Sequence, residues 1–185
     1  MPIHQCVGYT DHALREFFKY AQQQEWYDNT LFVLTADHTN QVCLPEYATA
    51  KGLYEVPIAF YSSRWNRGEL RDKEAISQTD IMPSVLAYLG YNKPYFAFGE
   101  DALTKAKKHP YAICYNHPVY QLLTDSLLVQ FDGKEVRAVY HYCDDPQLQH
   151  NIATHTDTHE IETYLRAYIQ QYIYRLTTNQ LTVEN

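Results

Sequence analysis

The sequence lacks any apolar run that approaches the ~18 residues a membrane-spanning helix requires. The N-terminus also lacks the apolar core of a signal peptide. The chain as written is therefore expected to be soluble and to carry no targeting signal. Neither a Gly-rich phosphate loop nor a Gly-x-Ser-x-Gly elbow occurs, so a P-loop nucleotide site and an α/β-hydrolase nucleophile are both unsupported.

Basic residues are scarce as well. Lys and Arg number 15 against 22 Asp and Glu, which leaves a formal net charge of −7. This balance argues against a nucleic-acid surface, since phosphate binding needs clustered Lys and Arg. The nearest thing to a basic cluster, Lys-Ala-Lys-Lys-His at residues 105–109, is interpreted as a solvated segment.

Cysteine is limited to four widely separated residues, Cys6, Cys43, Cys114 and Cys143. They form no Cys-x-x-Cys pair, so a zinc ribbon is unsupported. With 185 residues the chain can build one domain, or a domain plus a small lobe, without a disulfide framework. The 18 tyrosines could line a carbohydrate-like surface, but the edges of an amphipathic core explain them more simply.

A short apolar run followed by two metal-binding residue types organises the chain. Leu31–Leu34 is predicted to be a strand buried on both faces, and Asp37 and His38 follow it closely. Past the carboxyl end of a strand, two neighbouring side chains can turn toward one point, where ligands collect in open α/β sheets. A carboxylate and an imidazole suit Zn²⁺, Mn²⁺ or Mg²⁺, although spacing alone is equally compatible with a polar turn.

Two blocks of sequence resemble one superfamily. Residues 30–39, Thr-Leu-Phe-Val-Leu-Thr-Ala-Asp-His-Thr, are similar to the late metal-binding motif of the alkaline phosphatase and sulfatase superfamily. Within it, the likeness is greatest to the membrane-anchored branch of lipoteichoic acid synthase and phosphoethanolamine transferases. Residues 78–90, Gln-Thr-Asp-Ile-Met-Pro-Ser-Val-Leu-Ala-Tyr-Leu-Gly, resemble the helix that follows that motif, and a strand-like Val56–Tyr61 lies between the two blocks.

The resemblance implies a fold and a site. The fold is α/β: the C-terminal part of an alkaline-phosphatase-like α/β/α sandwich, followed by a small antiparallel sheet packed by a C-terminal helix. Asp37 and His38 would bind a divalent metal (Mn, Zn, Mg or Ca) in a longer parent enzyme. That parent would act on a sulfate or phosphate ester, by hydrolysis or by transfer of a phosphoglycerol or phosphoethanolamine head group.

The resemblance also implies that this chain holds no catalytic residue of its own. The Ser, Thr or formylglycine nucleophile of such enzymes would precede residue 1, so the chain alone is expected to be inactive. The parent would be anchored in the inner membrane, with this part in the periplasm or outside the cell. The alternatives are a non-catalytic module that binds glycan or protein through its tyrosine-rich C-terminal lobe, and a cytoplasmic phosphomutase relative.

Helical and strand signals divide the chain into two portions. Residues 1–105 are predicted to be the C-terminal portion of the catalytic α/β domain, and residues 106–185 a small lobe of antiparallel sheet and helix. In the first portion, residues 10–24 form an amphipathic helix that Thr10 or Asp11 can cap. A helix followed by the Leu31 strand, with Val56–Tyr61 as a second buried strand, is typical of a parallel sheet.

Further along the first portion, a charged surface loop is expected over Ser62–Glu74, after the irregular loop Thr39–Glu55. Thr79 then caps a helix whose inward face is Ile81, Val85, Leu86 and Leu89 and which Gly90 ends. Asp80 in its first turn favours the helix dipole, and metal ligation by Asp80 is the less favoured alternative.

The second portion predicts an antiparallel meander and one long helix. Strands are expected over Tyr111–Asn116, Val119–Thr124, Leu127–Asp132 and Lys134–Tyr142, with Asp132-Gly133 as a hairpin turn. Asp157-x-x-Glu160 resembles a capping box at the start of the last helix. Its apolar stripe, which should lie across the sheet, is Ile161, Tyr164, Leu165, Tyr168, Ile169, Tyr172, Ile173 and Leu176.

Other histidines and one cysteine motif are weaker candidates. His155-x-x-x-His159 has half of a zinc-finger spacing but no paired cysteines, so exposed histidines at a helix start are favoured. His117, in an Asn-His-Pro turn, is a minor candidate for a substrate contact, and His4 and His12 are expected on the surface. Cys43-Leu-Pro-Glu-Tyr47 departs from the formylglycine motif of sulfatases in both residue and position and is rejected. The open edge of a partial sheet would allow homodimerisation.

Overall fold

The computed structural model describes residues 2–40, 42–65 and 74–183. These divide into two compact units, Met1–Asp37 with Val56–Leu70, and His38–Glu55 with Arg71–Asn185. The boundary between these units does not fall at residue 105. The predicted portions, residues 1–105 and 106–185, refer to parts of a family fold, and this division stays a prediction. Most of the expected surface loop over Ser62–Glu74 falls on residues 66–73, outside the described residues.

Three helices and six strands make up the regular structure of the described residues. They are α1 Pro2–Ala21, β1 Phe32–Thr35, β2 Ile58–Tyr61, α2 Ile81–Tyr88, β3 Ala112–Asn116, β4 Val119–Leu123, β5 Leu127–Phe131, β6 Val136–His141 and α3 His159–Thr177. The predicted irregular loop over Thr39–Glu55 contains two 3₁₀ turns, Pro45–Ala48 and Gly52–Tyr54. The predicted α/β class with a helix-packed antiparallel sheet is confirmed.

Helix α1 begins well before its predicted start. Thr10 and Asp11 do not cap it, because both lie inside the helix and bond to residues one turn away. The Thr10 hydroxyl donates to the Cys6 carbonyl at 3.0 Å, and Asp11 pairs with Arg15 at 2.8 Å. Thr and Asp can occupy a helix interior when their side chains make such bonds. Their preference for capping positions therefore did not locate the start of α1.

Strands β1 and β2 pair in antiparallel register, from Phe32 opposite Tyr61 to Thr35 opposite Ile58. The parallel pairing predicted for them is therefore wrong, and so is burial on both faces, since all eight residues are partly or fully exposed. A continuous apolar run identifies a strand but not its neighbour. Phe32 is instead the centre of an aromatic cluster with Phe17, Phe18, Trp26, Tyr27 and Tyr61, at ring-centroid distances of 5.0–6.3 Å.

The second unit is built on the meander β3-β4-β5-β6, as predicted. Alternate residues point toward α3, and Leu122, Phe131 and Leu165 form the buried cluster between sheet and helix. The Asp132-Gly133 turn is confirmed: Gly133 has φ +95°, and Asp132 accepts the amides of Lys134 and Glu135. These backbone bonds, together with the Arg137 guanidinium, lower the pKa of Asp132 to about 2.

Helix α3 begins at His159 after Thr158, and Asp157 accepts the His159 amide at 3.0 Å. The predicted capping box with Glu160 is therefore absent from this helix start. The predicted stripe is most deeply buried along its first half, where Leu165 is fully buried. Its last part is about half exposed, including Tyr172, Ile173 and Leu176.

Helix α2 is entered through a 3₁₀ turn that Ser77, not Thr79, caps. Ser77 and Asp80 form a capping box across that turn, which satisfies two backbone amides at once. The buried residues of α2 are Pro83 and Ser84, whereas Leu89 of the predicted inward face is 67% exposed. Gly90 follows the helix with φ +68°, the left-handed conformation predicted for its end.

Candidate functional site

Asp37 and His38 lie in the bend that follows β1, and both side chains are exposed. Asp37 is the last residue of the first segment of one compact unit, and His38 is the first residue of the other unit. Each residue is therefore described within its own unit. The sequence predicted that both residues would lie just past the end of a strand. This agrees with the observed end of β1 at Thr35.

The His38 ring is held in one tautomer by its neighbour. Its Nδ1 lies 2.6 Å from the backbone carbonyl oxygen of Thr39. A carbonyl oxygen can only accept, so Nδ1 must carry the proton and donate it. In the neutral ring this leaves the lone pair on Nε2, which is the arrangement seen when a second group orients a metal-binding histidine.

The loop that carries His38 is fixed by short local contacts. The Thr39 hydroxyl donates to the Leu53 carbonyl at 2.6 Å, which ties the start of the loop to the second 3₁₀ turn. That turn begins at Gly52, where a Cβ would clash with the backbone of Tyr47. The close approach requires glycine, so the sequence itself sets the path of the loop after His38.

The donor set fits a divalent metal only in part. One carboxylate and one neutral imidazole nitrogen suit Zn²⁺ or Mn²⁺, but zinc sites normally use three or four protein ligands. Within residues 2–40, 42–65 and 74–183, no group of three or more His, Cys, Asp or Glu side chains could hold a metal ion. The described residues therefore offer no complete metal site, and metal binding by Asp37 and His38 stays a prediction.

Asp80 has a structural role, because both oxygens of its carboxylate accept hydrogen bonds. Its Oδ1 accepts the Glu100 amide at 2.8 Å, and its Oδ2 accepts the Ser77 amide and the Lys107 ammonium, both at 2.8 Å. The side chains of Asp80 and Lys107 are each 2% exposed. The less favoured metal-ligand alternative for Asp80 is therefore not supported by its surroundings.

The prediction that residues 105–109 are a solvated segment is wrong for Lys107, which is buried. Its ammonium donates to Asp80 and to the backbone carbonyls of Ala75 and Tyr111, at 2.8–3.0 Å, so all three donors are used. Sequence reasoning missed this buried ion pair because Lys107 sits among exposed basic residues. No local pattern distinguishes one buried lysine in such a run, and Asp80 lies 27 positions away.

Glu100 and His109 form a second polar pair beside the first. His109 Nδ1 lies 2.8 Å from Glu100 Oε1, and the Lys108 amide donates to the other carboxylate oxygen at 2.8 Å. Burial opposes ionisation of Glu100, but these bonds outweigh it and lower the pKa of the carboxyl. The adjoining cavity holds only about 10 Å³, room for one water at most.

The remaining candidates are dispersed. His4 and His12 are exposed on α1, His117 contacts the Tyr115 hydroxyl at 3.0 Å, and His155 and His159 are exposed near the start of α3. The four cysteines are free thiols. Burial raises the pKa of the Cys114 thiol to about 11, which makes it a poor nucleophile. In the described residues, no helix has the length and apolar character needed to cross a membrane.

Comparisons with known proteins give one family match and several similar solved structures. The sulfatase family model matches residues 3–91. A protein in the alkaline phosphatase superfamily from Vibrio parahaemolyticus is similar in structure, with a TM-score of 0.77 and 19% identity, over 96% of this chain and 42% of its own. The chain is thus similar to the sulfatase family over residues 3–91 and shares its fold with a protein of the alkaline phosphatase superfamily.

Two further solved structures share the fold more loosely. BT1596, a 2-O GAG sulfatase, has a TM-score of 0.56 and 19% identity, over 83% of this chain and 38% of its own. BT4656, solved in complex with its substrate D-glucosamine-2-N,6-O-disulfate, has a TM-score of 0.58 and 16% identity, over 94% and 40%. This chain thus spans about two fifths of the length of the solved structures it resembles.

Proposed function

We propose that Asp37 and His38 supply two ligands to the divalent-metal centre of a sulfatase-like enzyme. The observation that carries this proposal is the bond from His38 Nδ1 to the Thr39 carbonyl, which leaves Nε2 as the lone-pair nitrogen. Asp37 would contribute a negative carboxylate, which the cation neutralises. When bound, the metal would lower the pKa of the attacking nucleophile and stabilise the charge that develops in the transition state.

Sulfate-ester hydrolysis is the reaction class we favour. The sulfatase family match over residues 3–91 supports it, and so do two structural relatives described by their sulfated sugar chemistry. Phosphate-ester hydrolysis and transfer of a phosphoglycerol or phosphoethanolamine head group remain the alternatives within the same superfamily. The membrane-anchored branch, the location outside the cytoplasm and the non-catalytic glycan- or protein-binding module stay predictions from the sequence.

The 185-residue chain is expected to be inactive by itself, with added Zn²⁺, Mn²⁺, Mg²⁺ or Ca²⁺. Two ligands by themselves cannot complete the chemistry, since transfer of this kind also needs an activated Ser, Thr or formylglycine at the metal. The measurement is release of product from an aryl sulfate and an aryl phosphate by the purified chain. Turnover above that of an Asp37→Ala, His38→Ala variant would contradict the prediction.

Metal titration tests the ligand assignment. Isothermal calorimetry with Mn²⁺ and Zn²⁺ should show micromolar binding by the wild-type chain, and binding should be lost in the Asp37→Ala, His38→Ala variant because both donors are gone. A His155→Ala, His159→Ala variant is the matched control, since it also removes two donors from exposed positions. Equal binding by the wild type and the Asp37→Ala, His38→Ala variant would overturn the proposal.

A further inference from the structure

The orientation of the His38 ring depends on the Thr39 carbonyl, and the position of that carbonyl depends on a more distant part of the loop. The 2.6 Å bond from Nδ1 to the Thr39 carbonyl oxygen forms only when the backbone at Thr39 presents this oxygen to the ring. The Thr39 hydroxyl donates to the Leu53 carbonyl, 14 positions further along the chain. The backbone that orients the ring is therefore attached to the far end of the loop.

The Leu53 carbonyl is held in place by Tyr54. It shares one planar peptide unit with the Tyr54 amide, so a bond to either group restrains both. The amide donates to the Lys51 carbonyl at 3.0 Å, within the second 3₁₀ turn. The Tyr54 hydroxyl donates to the Tyr115 carbonyl at 3.2 Å, although the two residues are 61 positions apart. Tyr54 thus connects the carbonyl that Thr39 uses with the meander.

The meander offers this loop a regular support. Tyr115 belongs to β3, which lies at one edge of the meander in the described residues, and an edge strand has backbone groups that a side chain can reach. A second attachment lies at the other edge. The Lys51 ammonium is 5.2 Å from the centre of the ring of Tyr142, the residue after β6. The loop that follows His38 therefore contacts the meander at both of its edges.

We propose that Tyr54 and Thr39 are positioning residues for the His38 imidazole. Both act through the backbone: Tyr54 holds the Leu53 peptide unit against β3, and Thr39 uses that unit to hold its own carbonyl near Nδ1. This role rests on the proposed function, because an imidazole that is already fixed in one tautomer binds a cation without first reorganising. The contacts themselves involve no metal, so they can be tested in the metal-free chain.

The ratio of the two His38 tautomers in the metal-free chain tests this role. Long-range ¹H–¹⁵N NMR spectra distinguish the forms protonated on Nδ1 and on Nε2 when the imidazole is neutral. Tyr54→Phe removes only the hydroxyl that reaches β3. Thr39→Val removes the hydroxyl that reaches Leu53 and keeps the branched shape, whereas Thr39→Ser keeps a hydroxyl. Tyr47→Phe is the matched control, because Tyr47 lies in the same loop and is 44% exposed, against 43% for Tyr54.

We expect the ratio of Nδ1-protonated to Nε2-protonated His38 to fall about fivefold in Tyr54→Phe and in Thr39→Val, since each change removes one hydrogen bond that holds the Thr39 carbonyl. Tyr47→Phe and Thr39→Ser should keep the wild-type ratio. An unchanged ratio in Tyr54→Phe would overturn the proposal. So would an equal change in Tyr47→Phe, or a Thr39→Ser protein that behaves like Thr39→Val.

The positioning role and the proposed function can fail separately. The tautomer ratios are measured without metal, so they decide the positioning role whether or not the wild-type chain binds Zn²⁺. The calorimetric titration of the wild type and the Asp37→Ala, His38→Ala variant decides the ligand assignment.

Discussion

Replacing Lys107 with methionine should lower the free energy of unfolding of the second unit by about 3–5 kcal/mol, because it leaves the buried Asp80 carboxylate without its cation. Methionine keeps the length of the side chain but supplies none of the three hydrogen bonds that the ammonium makes. Lys108→Met is the matched control, since Lys108 is exposed and its loss should change stability by no more than about 0.5 kcal/mol.

Urea unfolding followed by far-UV circular dichroism measures this effect. Tryptophan fluorescence is unsuitable, because Trp26 and Trp65 both lie in the first unit. An Asp80→Asn, Lys107→Met double variant should be less destabilised than the sum of the two single variants, since neither charge is then buried alone. Equal stability of the Lys107→Met and Lys108→Met proteins would show that the buried ion pair does not hold this unit together.

Truncating Leu165 to alanine should destabilise the second unit by about 2–5 kcal/mol. Leu165 is fully buried between α3 and the meander, where it packs with Leu122 and Phe131. Truncation leaves a cavity at the centre of that cluster, since neighbours on a sheet cannot move far to fill it.

The matched control for this prediction lies on the same helix. Leu176 belongs to the same predicted stripe but is 53% exposed, so Leu176→Ala should have a much smaller effect. The same denaturant titration compares the two variants. A similar loss of stability in both would mean that α3 is held along its whole length rather than by its first half.

The sequence predicted elements well where local chemistry determines them. The meander follows from alternating patterns and from Asp132-Gly133, whose left-handed glycine makes the turn at that point. The end of β1 just before Asp37 and His38 follows from the break in the apolar run. The apolar stripe of α3 could also be predicted, because helical spacing can be recognised without knowing which sheet the helix packs against.

The predictions that were wrong concern features that depend on residues far away in the sequence. The pairing direction of β1 and β2 is set by the path of the chain between them, which no residue pattern within the strands records. The exposed end of α3 and the buried Lys107 are likewise decided by what lies opposite in space. For the candidate site, the residues Asp37 and His38 could be chosen from the sequence, but the tautomer of His38 could not, since it rests on a bond to the Thr39 backbone.

The most direct test of the central claim observes the His38 ring during metal titration. Long-range ¹H–¹⁵N NMR spectra of the ¹⁵N-labelled chain distinguish the protonated from the lone-pair ring nitrogen in each of the nine histidines. We expect His38 to carry its proton on Nδ1 before metal is added, and its Nε2 signal to shift when Zn²⁺ is added. Zn²⁺-dependent shifts at other histidines with His38 unchanged, or a His38 ring protonated on Nε2, would contradict the assignment of this residue as a metal ligand.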